Sequence, residues 1–299
     1  MYRLIMVPLD GSRFAESALP VALSVSRRTG APLHLVTVQE PIQSFAYDEW
    51  ENAAEEWSRA YLDNVLDRAK PLAGAQVTAT LLSGHVVDAL EKEAESRSVD
   101  LVVMATHGRG AFSRAWLGSV ADAFLHHTRR PVLLLRPEEG EQEPDLSADR
   151  GFGRMLVALD GTELSESVLE HAVSFGILFK TAFHLVRIVP YPMQFSSPYL
   201  PHTMQMNQQF VTEARDAAAG YLEEHAGRLR QRGLTAETAV AVVAQPGHGI
   251  LTEVLDARCD LVAMATHGRA GLTRAILGST SDKVVRGCHV PVLLYRPAE

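Results

Sequence analysis

The hydrophobic residues in the first half of the chain fall into runs of strand length, separated by longer helical stretches. The runs lie near residues 2–9, 32–38, 76–82, 99–105 and 131–136, and the longest helical stretch covers about 50–70. Runs such as LVVMA and PVLLL are apolar at every position, which is typical of strands buried on both faces. The pattern therefore predicts a parallel sheet covered by helices, a doubly wound α/β fold.

The second half of the chain repeats the first. The segment LIMVPLDGS at 4–12 returns as MLVALDGT at 155–162, and DLVVMATHGRGAFSRAWLGS at 100–119 returns as DLVAMATHGRAGLTRAILGS at 260–279. A repeat of this length, with its motifs in the same order, indicates duplication and fusion of one domain. The sequence therefore predicts two tandem five-stranded doubly wound parallel sheets.

The closing strands of the two copies mark the expected domain boundaries. RPVLLLRP at 130–137 is echoed by VPVLLYRP at 290–297. We expect a first domain at 1–137, a second at 153–299, and between them a linker at 138–152 that is acidic, polar and free of periodic apolar residues. Because unpaired edge strands seek partners, the two closing strands are expected to pair within one chain as a pseudo-dimer, and two chains could join as a homodimer.

The composition of the chain bears on its cellular compartment and on the kinds of partner that it binds. The 299 residues carry a net charge of −8, which argues against nucleic acid as a main partner, because a phosphate backbone binds a basic surface. No apolar run approaches the roughly 18 residues that a membrane helix needs. The opening MYRLIMVPLD is expected to be the first strand rather than a basic leader. Cys259 and Cys288 lack the spacing of a disulfide framework or a zinc site. We expect a cytoplasmic protein without a metal site or membrane partner.

A carboxylate follows the first strand of each copy. Asp10 precedes Gly11, Ser12 and a helix that is predicted to begin near Phe14. In doubly wound folds, ligands bind beyond the carboxyl ends of the strands, where the strand order reverses. Asp10 is therefore either a turn or helix-cap residue, or a hydrogen-bond partner of a ligand's ribose or base. The arrangement recurs at Asp160 to Thr162 in the second copy, which favours the ligand.

A glycine-containing loop follows the fourth strand of each copy. From Ala105 it runs through Gly108 and Gly110 to Gly118 and Ser119, and Ser119 is expected to cap the next helix. Glycines let backbone N–H groups approach an anion, and a helix N-terminus favours phosphate. The alternative is a long surface connection. Long irregular loops are uncommon unless they are functional. The recurrence as Gly268, Gly278 and Ser279 favours a phosphate cradle.

Together, the run from Met104 to Ser119, the opening VPLDGS and the closing PVLLLRP resemble the universal stress protein family, twice and over nearly the whole chain. The ATP-binding members of that family share the pattern G-x2-G-x9-G-[S/T]. Its second glycine, third glycine and hydroxyl match Gly108, Gly118 and Ser119. The first glycine is replaced by Ala105 and Ala265, a departure that adds one methyl group where the adenosine packs.

The resemblance implies a Rossmann-like, adenine nucleotide alpha hydrolase-like fold and ATP, with Mg²⁺, as the ligand. It implies that Asp10 and Asp160 contact the adenosine, that the backbone of Val38 and Ile188 meets the adenine edge, and that Val120 and Thr280 offer N–H groups to phosphate. The expected nucleotide contacts in the first domain are Pro8, Asp10, Ser12, Val38, Met104, Ala105, Gly108, Arg109, Gly118, Ser119 and Val120. Those in the second are Ala158, Asp160, Thr162, Ile188, Met264, Ala265, Gly268, Arg269, Gly278, Ser279 and Thr280.

Residues dedicated to catalysis are not evident. The sequence has no GxxxxGK[ST] loop, no GxGxxG after the first strand and no nucleophile elbow. His107 and His267 are interpreted as structural. Arg109 and Arg269 could pair with phosphate or be solvated. We expect a nucleotide-responsive regulator of the stress response rather than a turnover enzyme, although slow ATP hydrolysis would be compatible with it. The alternative is a nucleotide-independent scaffold with degenerate sites.

Overall fold

The computed structural model describes residues 2–41, 48–106, 117–137, 143–191, 203–266 and 277–297. These residues form two compact units. The first contains the described residues up to Gly151, together with Leu277 and residues 291–297 near the end of the chain. The second contains the described residues from Phe152 to Thr266 and from Gly278 to Val290. Within the described ranges, no helix combines the length and the apolar character that a membrane crossing needs.

Strands and helices alternate in the first copy, as the hydrophobic pattern predicts. The strands are β1 (Ile5–Pro8), β2 (Leu33–Gln39), β3 (Val77–Ser83), β4 (Leu101–Ala105) and β5 (Val132–Leu135). The helices are α1 (Arg13–Glu16), α2 (Leu19–Thr29), α3 (Asp48–Ala69), α4 (Val86–Ser96) and α5 (Ser119–His127), and a short 3-10 turn follows α3 at Lys70–Leu72. Every residue of β4 and β5 is buried, which confirms that these strands are covered on both faces.

The sheet of the first unit is parallel, with the strand order β3-β2-β1-β4-β5. The order reverses at β1, which pairs with β2 on one side and with β4 on the other. The residues that follow β1 and β4 therefore meet at one edge of the sheet, at the switch point where doubly wound folds bind ligands.

The second copy repeats this order of elements. Its strands are β6 (Arg154–Ala158), β7 (Ala182–Val189), β8 (Ala236–Val242), β9 (Leu261–Ala265) and β10 (Val292–Tyr295). Its helices are α6 (Glu163–Glu166), α7 (Leu169–Phe179), α8 (Thr203–Gln231), α9 (Pro246–Asp256) and α10 (Ser279–Gly287). In the second unit β9, β6, β7 and β8 form a parallel sheet in that order, so its switch point lies between β6 and β9.

The closing strand of the second copy pairs with the closing strand of the first. β10 runs antiparallel to β5, with Leu293 opposite Leu133, and it belongs to the first unit. This pairing was predicted from the two apolar runs and is confirmed. Among the described residues each copy supplies five strands, as expected, but six strands lie in the first unit and four in the second, because β10 pairs with the apolar edge of β5.

The segment ahead of the second copy is attached to α2. The Arg28 guanidinium donates two hydrogen bonds to the Asp149 carboxylate, at 2.5 and 2.7 Å. The backbone N–H of Arg150 donates to the buried Ser24 hydroxyl at 2.9 Å, and Arg27 donates to the Ala148 carbonyl at 3.1 Å. This part of the predicted linker is therefore packed against the first unit.

Candidate functional site

The turn after β1 is built around the carboxylate of Asp10. Its Oδ1 accepts hydrogen bonds from the backbone N–H of Ser12, at 2.9 Å, and from the Ser12 hydroxyl, at 2.6 Å. The same hydroxyl accepts from the N–H of Ala15 at 3.1 Å and so caps α1. The sequence left open whether Asp10 serves the turn or a ligand. The contacts establish the turn role, and they hold a half-buried carboxylate at the switch point.

The second unit reproduces this turn around Asp160. Oδ1 of Asp160 accepts from the N–H and the hydroxyl of Thr162 at 2.9 and 2.6 Å, and Thr162 caps α6 by accepting from the N–H of Ser165. The central residue, Gly161, has a φ of 89°, a conformation that glycine adopts without a steric penalty. Asp160 is exposed, whereas Asp10 is half-buried.

The ends of the glycine-containing loop meet in the first unit. The N–H of Gly118 donates to the Thr106 carbonyl at 2.6 Å, and the N–H of Thr106 donates to the Leu135 carbonyl at 2.7 Å. This contact places the N-terminus of α5 beside the carboxyl end of β4. The first turn of a helix has N–H groups without acceptors in the helix, and the helix dipole there favours an anion.

The expected helix cap is wrong by one residue. The Gly118 carbonyl accepts from the N–H of Asp122 at 2.9 Å, so Gly118 is the N-cap and Ser119 is the first residue of α5. Ser119 was expected to cap because hydroxyls favour that position. Gly118 takes it because its N–H is already bonded to Thr106. The exposed side chains of Ser119 and Val120 therefore lie on the first turn of the helix.

The N-terminus of α10 has the same arrangement in the second unit. The Gly278 carbonyl accepts from the N–H of Asp282 at 2.9 Å, and Ser279 is the first residue of the helix. The buried Ser281 hydroxyl donates to the Ala265 carbonyl at 3.5 Å, which connects α10 to the end of β9. Ser279 is exposed and Thr280 is half-buried.

The other predicted residues lie on the strands that converge at each switch point. Pro8 and Ala158 end β1 and β6 and are half-buried. Val38 and Ile188 lie near the ends of β2 and β7 and are also half-buried. Four more end the central strands as buried apolar residues: Met104, Ala105, Met264 and Ala265. Four predicted residues lie outside the described residues: Gly108, Arg109, Gly268 and Arg269.

Three polar groups at these edges escaped the sequence analysis. The hydroxyls of Thr37, near the end of β2, and Thr266, directly after β9, are buried and have no hydrogen-bond partner among the described residues. In the second unit Arg187 takes the place of Thr37, and its guanidinium lies against Gly161. An arginine within the apolar run FHLVRIV is the signal that could have revealed it.

A tyrosine and a glutamate lie beside each turn. The Tyr221 hydroxyl donates to Oε1 of Glu166 at 2.9 Å. Burial raises the pKa of Tyr221, and the hydrogen bond to Glu166 raises it further. In the first unit burial raises the pKa of Tyr61, and the charges of Glu16 and Asp10 add to the effect. Both phenols therefore stay protonated at neutral pH; Tyr221 donates to Glu166, whereas the buried Tyr61 hydroxyl has no hydrogen-bond partner among the described residues.

Comparisons of the sequence and of the structure with known proteins all lead to the same family. A sequence model of the universal stress protein family matches residues 1–136 and 151–296. Universal stress protein Rv2005c of Mycobacterium tuberculosis is 25% identical over 98% of this chain and 96% of its own length. A universal stress protein of Thermus aquaticus is 31% identical and aligns with 46% of this chain and 100% of its own length. The crystal structure of a universal stress protein from Archaeoglobus fulgidus has the same fold, with a TM-score of 0.73 over 99% of this chain and 98% of its own, at 18% identity.

Proposed function

Because the chain belongs to the universal stress protein family, we propose that it binds ATP, with Mg²⁺, at the switch point of each repeat and acts in the stress response as a nucleotide-responsive regulator. The domains of this proposal are 1–137 and 153–299, joined by the linker 138–152. The observation that carries it is the contact between Gly118 and Thr106, which brings a helix N-terminus to the end of the strand beside Asp10.

The N-terminus of α5 suits the phosphates of the ligand. Gly118, Ser119 and Val120 provide an N-cap without a side chain, an exposed hydroxyl and an exposed first turn. Phosphate gains from backbone N–H groups, from the positive end of the helix dipole and from a hydroxyl donor. Gly278, Ser279 and Thr280 supply the same groups in the second repeat.

The turn after β1 suits the adenosine. A carboxylate at a strand end accepts hydrogen bonds from ribose hydroxyls, and Asp10 is held in place by Ser12 through Oδ1. The buried Thr37 hydroxyl, which lacks a partner among the described residues, is a further group that a polar ligand could satisfy. We assign the backbone of Val38 and Ile188 to the adenine edge.

Mg²⁺ fits this assignment as a companion of the phosphates. Among the residues with described positions, no group of three His, Cys, Asp or Glu side chains is arranged to hold a metal ion. Mg²⁺ is commonly bound through substrate phosphates with few protein ligands. When bound, the ion would neutralise phosphate charge. We assign no residue a catalytic role, and signalling would come from a change of shape or partner.

Two further statements belong to the proposal. We place the protein in the cytoplasm, since its two cysteines, Cys259 and Cys288, lack the spacing of a disulfide framework. We also propose that the pairing of the two closing strands makes a pseudo-dimer of the repeats and that two chains form a homodimer. Light scattering on the purified chain measures its oligomeric state, and a monomeric mass would contradict the homodimer.

The proposal is tested by placing a charge where the phosphates would bind. Asparagine and aspartate are both favoured N-caps and have nearly the same size, so Gly118→Asn and Gly118→Asp should both fold. The φ of −65° at Gly118 accommodates either side chain. In calorimetry with ATP and Mg²⁺, we expect Gly118→Asp to bind at least about tenfold more weakly than Gly118→Asn at the first site, because only aspartate repels phosphate. Equal binding by the two variants, or no ATP binding by the unmodified chain, would leave the nucleotide-independent scaffold as the better account.

A further inference from the structure

Arg187 distinguishes the second site from the first. It lies on β7 within an otherwise apolar run, at the position that Thr37 occupies on β2. Thr37 is buried, with a hydroxyl that lacks a partner among the described residues, whereas Arg187 is half-buried and reaches the edge of the sheet. The two repeats therefore have different side chains, a hydroxyl and a guanidinium, at equivalent positions of the sheet edge.

The guanidinium of Arg187 packs directly on the turn that carries Asp160. A Cβ atom at Gly161 would lie 2.8 Å from Nη2 of Arg187 and 2.9 Å from its Cζ. The absence of a side chain at Gly161, whose φ is 89°, lets the guanidinium lie this close to the turn. Arg187 thus lies beside the residue that the proposed function assigns to the ribose.

An aromatic ring supports the guanidinium. Cζ of Arg187 lies 5.1 Å from the centroid of the Tyr221 ring, within the range of a cation–π contact. In the first unit Trp57 stacks on Tyr61, with centroids 5.7 Å apart and planes 5° apart. The second repeat has Ala217 at the position of Trp57.

Among the residues that the structure describes, none accepts a hydrogen bond from the Arg187 guanidinium. Within the described ranges, Arg187 makes no hydrogen bond and no ion pair, and the nearby Glu166 is engaged by the Tyr221 hydroxyl and by Nε2 of His225, at 2.9 and 3.4 Å. A guanidinium presents five N–H donors in a fixed plane, and half-buried donors without hydrogen-bond partners are costly. An anion bound at this turn would supply the missing acceptor.

We propose that Arg187 is a specificity-determining residue of the second site, which binds an adenine nucleotide more tightly when it carries an additional phosphate on the 2′ or 3′ oxygen of its ribose. In nucleotide-binding folds a strand-end carboxylate binds ribose hydroxyls, and a neighbouring arginine accommodates a phosphate on the ribose. The guanidinium fork matches phosphate in a bidentate geometry. The first site, with Thr37 at this position, takes an unmodified ribose. The inference rests on the proposed binding of adenine nucleotides at both sites.

The test compares ligands that differ only in the ribose phosphate. Adenosine 3′,5′-bisphosphate, adenosine 2′,5′-bisphosphate and 5′-AMP are titrated into the full chain by calorimetry. The Gly118→Asp chain reports the second site and the Gly278→Asp chain reports the first. We expect the second site to bind one bisphosphate about ten- to a hundredfold more tightly than AMP, as a charged hydrogen-bonded pair implies, and the first site to show no such preference.

Two variants assign the preference to the guanidinium. Arg187→Thr copies the first site, and Arg187→Met keeps an unbranched side chain over Tyr221 without the charge. Both should weaken binding of the bisphosphate at the second site more than binding of AMP, so that the preference for the bisphosphate is lost. A preference that survives in both variants, or one absent from the unmodified chain while AMP still binds, overturns this inference alone. Failure of every adenine nucleotide to bind at either site overturns the proposed function as well.

Discussion

Nε2 of His34 lies 2.8 Å from Oε1 of Glu93 in the interior of the first unit. The His34 side chain is fully buried, and its Nδ1 lies 2.9 Å from the Thr78 hydroxyl. Burial lowers the pKa of His34, against the opposing effect of the hydrogen bond to Glu93. The ring is therefore neutral at neutral pH, and Nε2–H donates to Glu93, because a carboxylate can only accept.

This pair predicts a loss of stability in mild acid. The pKa of His34 is lower in the folded chain than its ordinary value of 6.5, so the unfolded chain takes up the proton first. The free energy of unfolding should be highest above about pH 6.5 and fall below it, by at most about 1.4 kcal/mol per pH unit for one such group. Urea unfolding between pH 8 and pH 5.5 measures this. His34→Gln should flatten the dependence, and a slope equal to that of the unmodified chain would contradict the assignment.

Gly176 and Phe183 predict a second effect on stability. A Cβ at Gly176, within α7, would lie 2.2 Å from Cζ of Phe183, a fully buried ring in β7. Gly176→Ala should therefore destabilise the protein by about 1–3 kcal/mol despite the better helix propensity of alanine. Gly220→Ala is the matched control in α8, because nothing lies within 4 Å of the position that its methyl group would take. It should stabilise the helix by about 0.5–1 kcal/mol. Urea midpoints that move in the same direction for both variants would contradict the packing.

Ser24 holds the segment that precedes the second repeat against α2. Its buried hydroxyl accepts from the N–H of Arg150 and from the Arg27 guanidinium, at 2.9 and 3.0 Å. Ser24→Ala should speed amide hydrogen exchange in residues 145–150 and cost about 1–3 kcal/mol, because both donors lose their acceptor. The control is Ser174→Ala at the same position of the second repeat, where the hydroxyl donates to the Glu170 carbonyl. Unchanged exchange at Arg150 in Ser24→Ala would show that this contact does not hold the segment.

Substitutions of Asp10 distinguish its role in the turn from its proposed role in ligand binding. Asp10→Asn keeps an oxygen that can accept from Ser12, whereas Asp10→Ala removes it. We expect Asp10→Ala to lower both the free energy of unfolding, by about 1 kcal/mol, and the affinity for ATP. Asp10→Asn should lower mainly the affinity, because a neutral amide is a weaker acceptor for ribose hydroxyls. Thermal unfolding and calorimetry on the two variants provide the measurements. If the ATP affinity of the two variants changes only in parallel with their stability, Asp10 serves the turn and does not contact the ligand.

The sequence predicts the fold well because the same order of apolar runs and motifs occurs twice in the chain. Strand-length apolar runs such as β4 and β5 show burial on both faces, and two aligned copies reduce the chance of misreading either one. The positions of Asp10 and Gly118 at one sheet edge follow from the same pattern, since strand ends meet at the switch point.

Side-chain contacts across elements are less accessible to such reasoning. The contact of Arg187 with Gly161 and Tyr221 joins β7, a turn and α8. No local pattern specifies a contact between three separate segments. The cap of α5 was misplaced for a related reason, because the hydrogen bond from Gly118 to Thr106 spans twelve residues of chain and outweighs the local preference for a serine cap.

Binding of adenine nucleotide is tested first by the nucleotide content of the natively purified chain. The protein is denatured, the released small molecules are identified by mass spectrometry, and their amounts are compared with the amount of chain. We predict adenine nucleotide in the released fraction, with ATP from the first site, and ATP binding in the presence of Mg²⁺ by any chain purified without it. An absence of released nucleotide, together with no heat of binding when ATP and Mg²⁺ are titrated into the unmodified chain, would contradict the account.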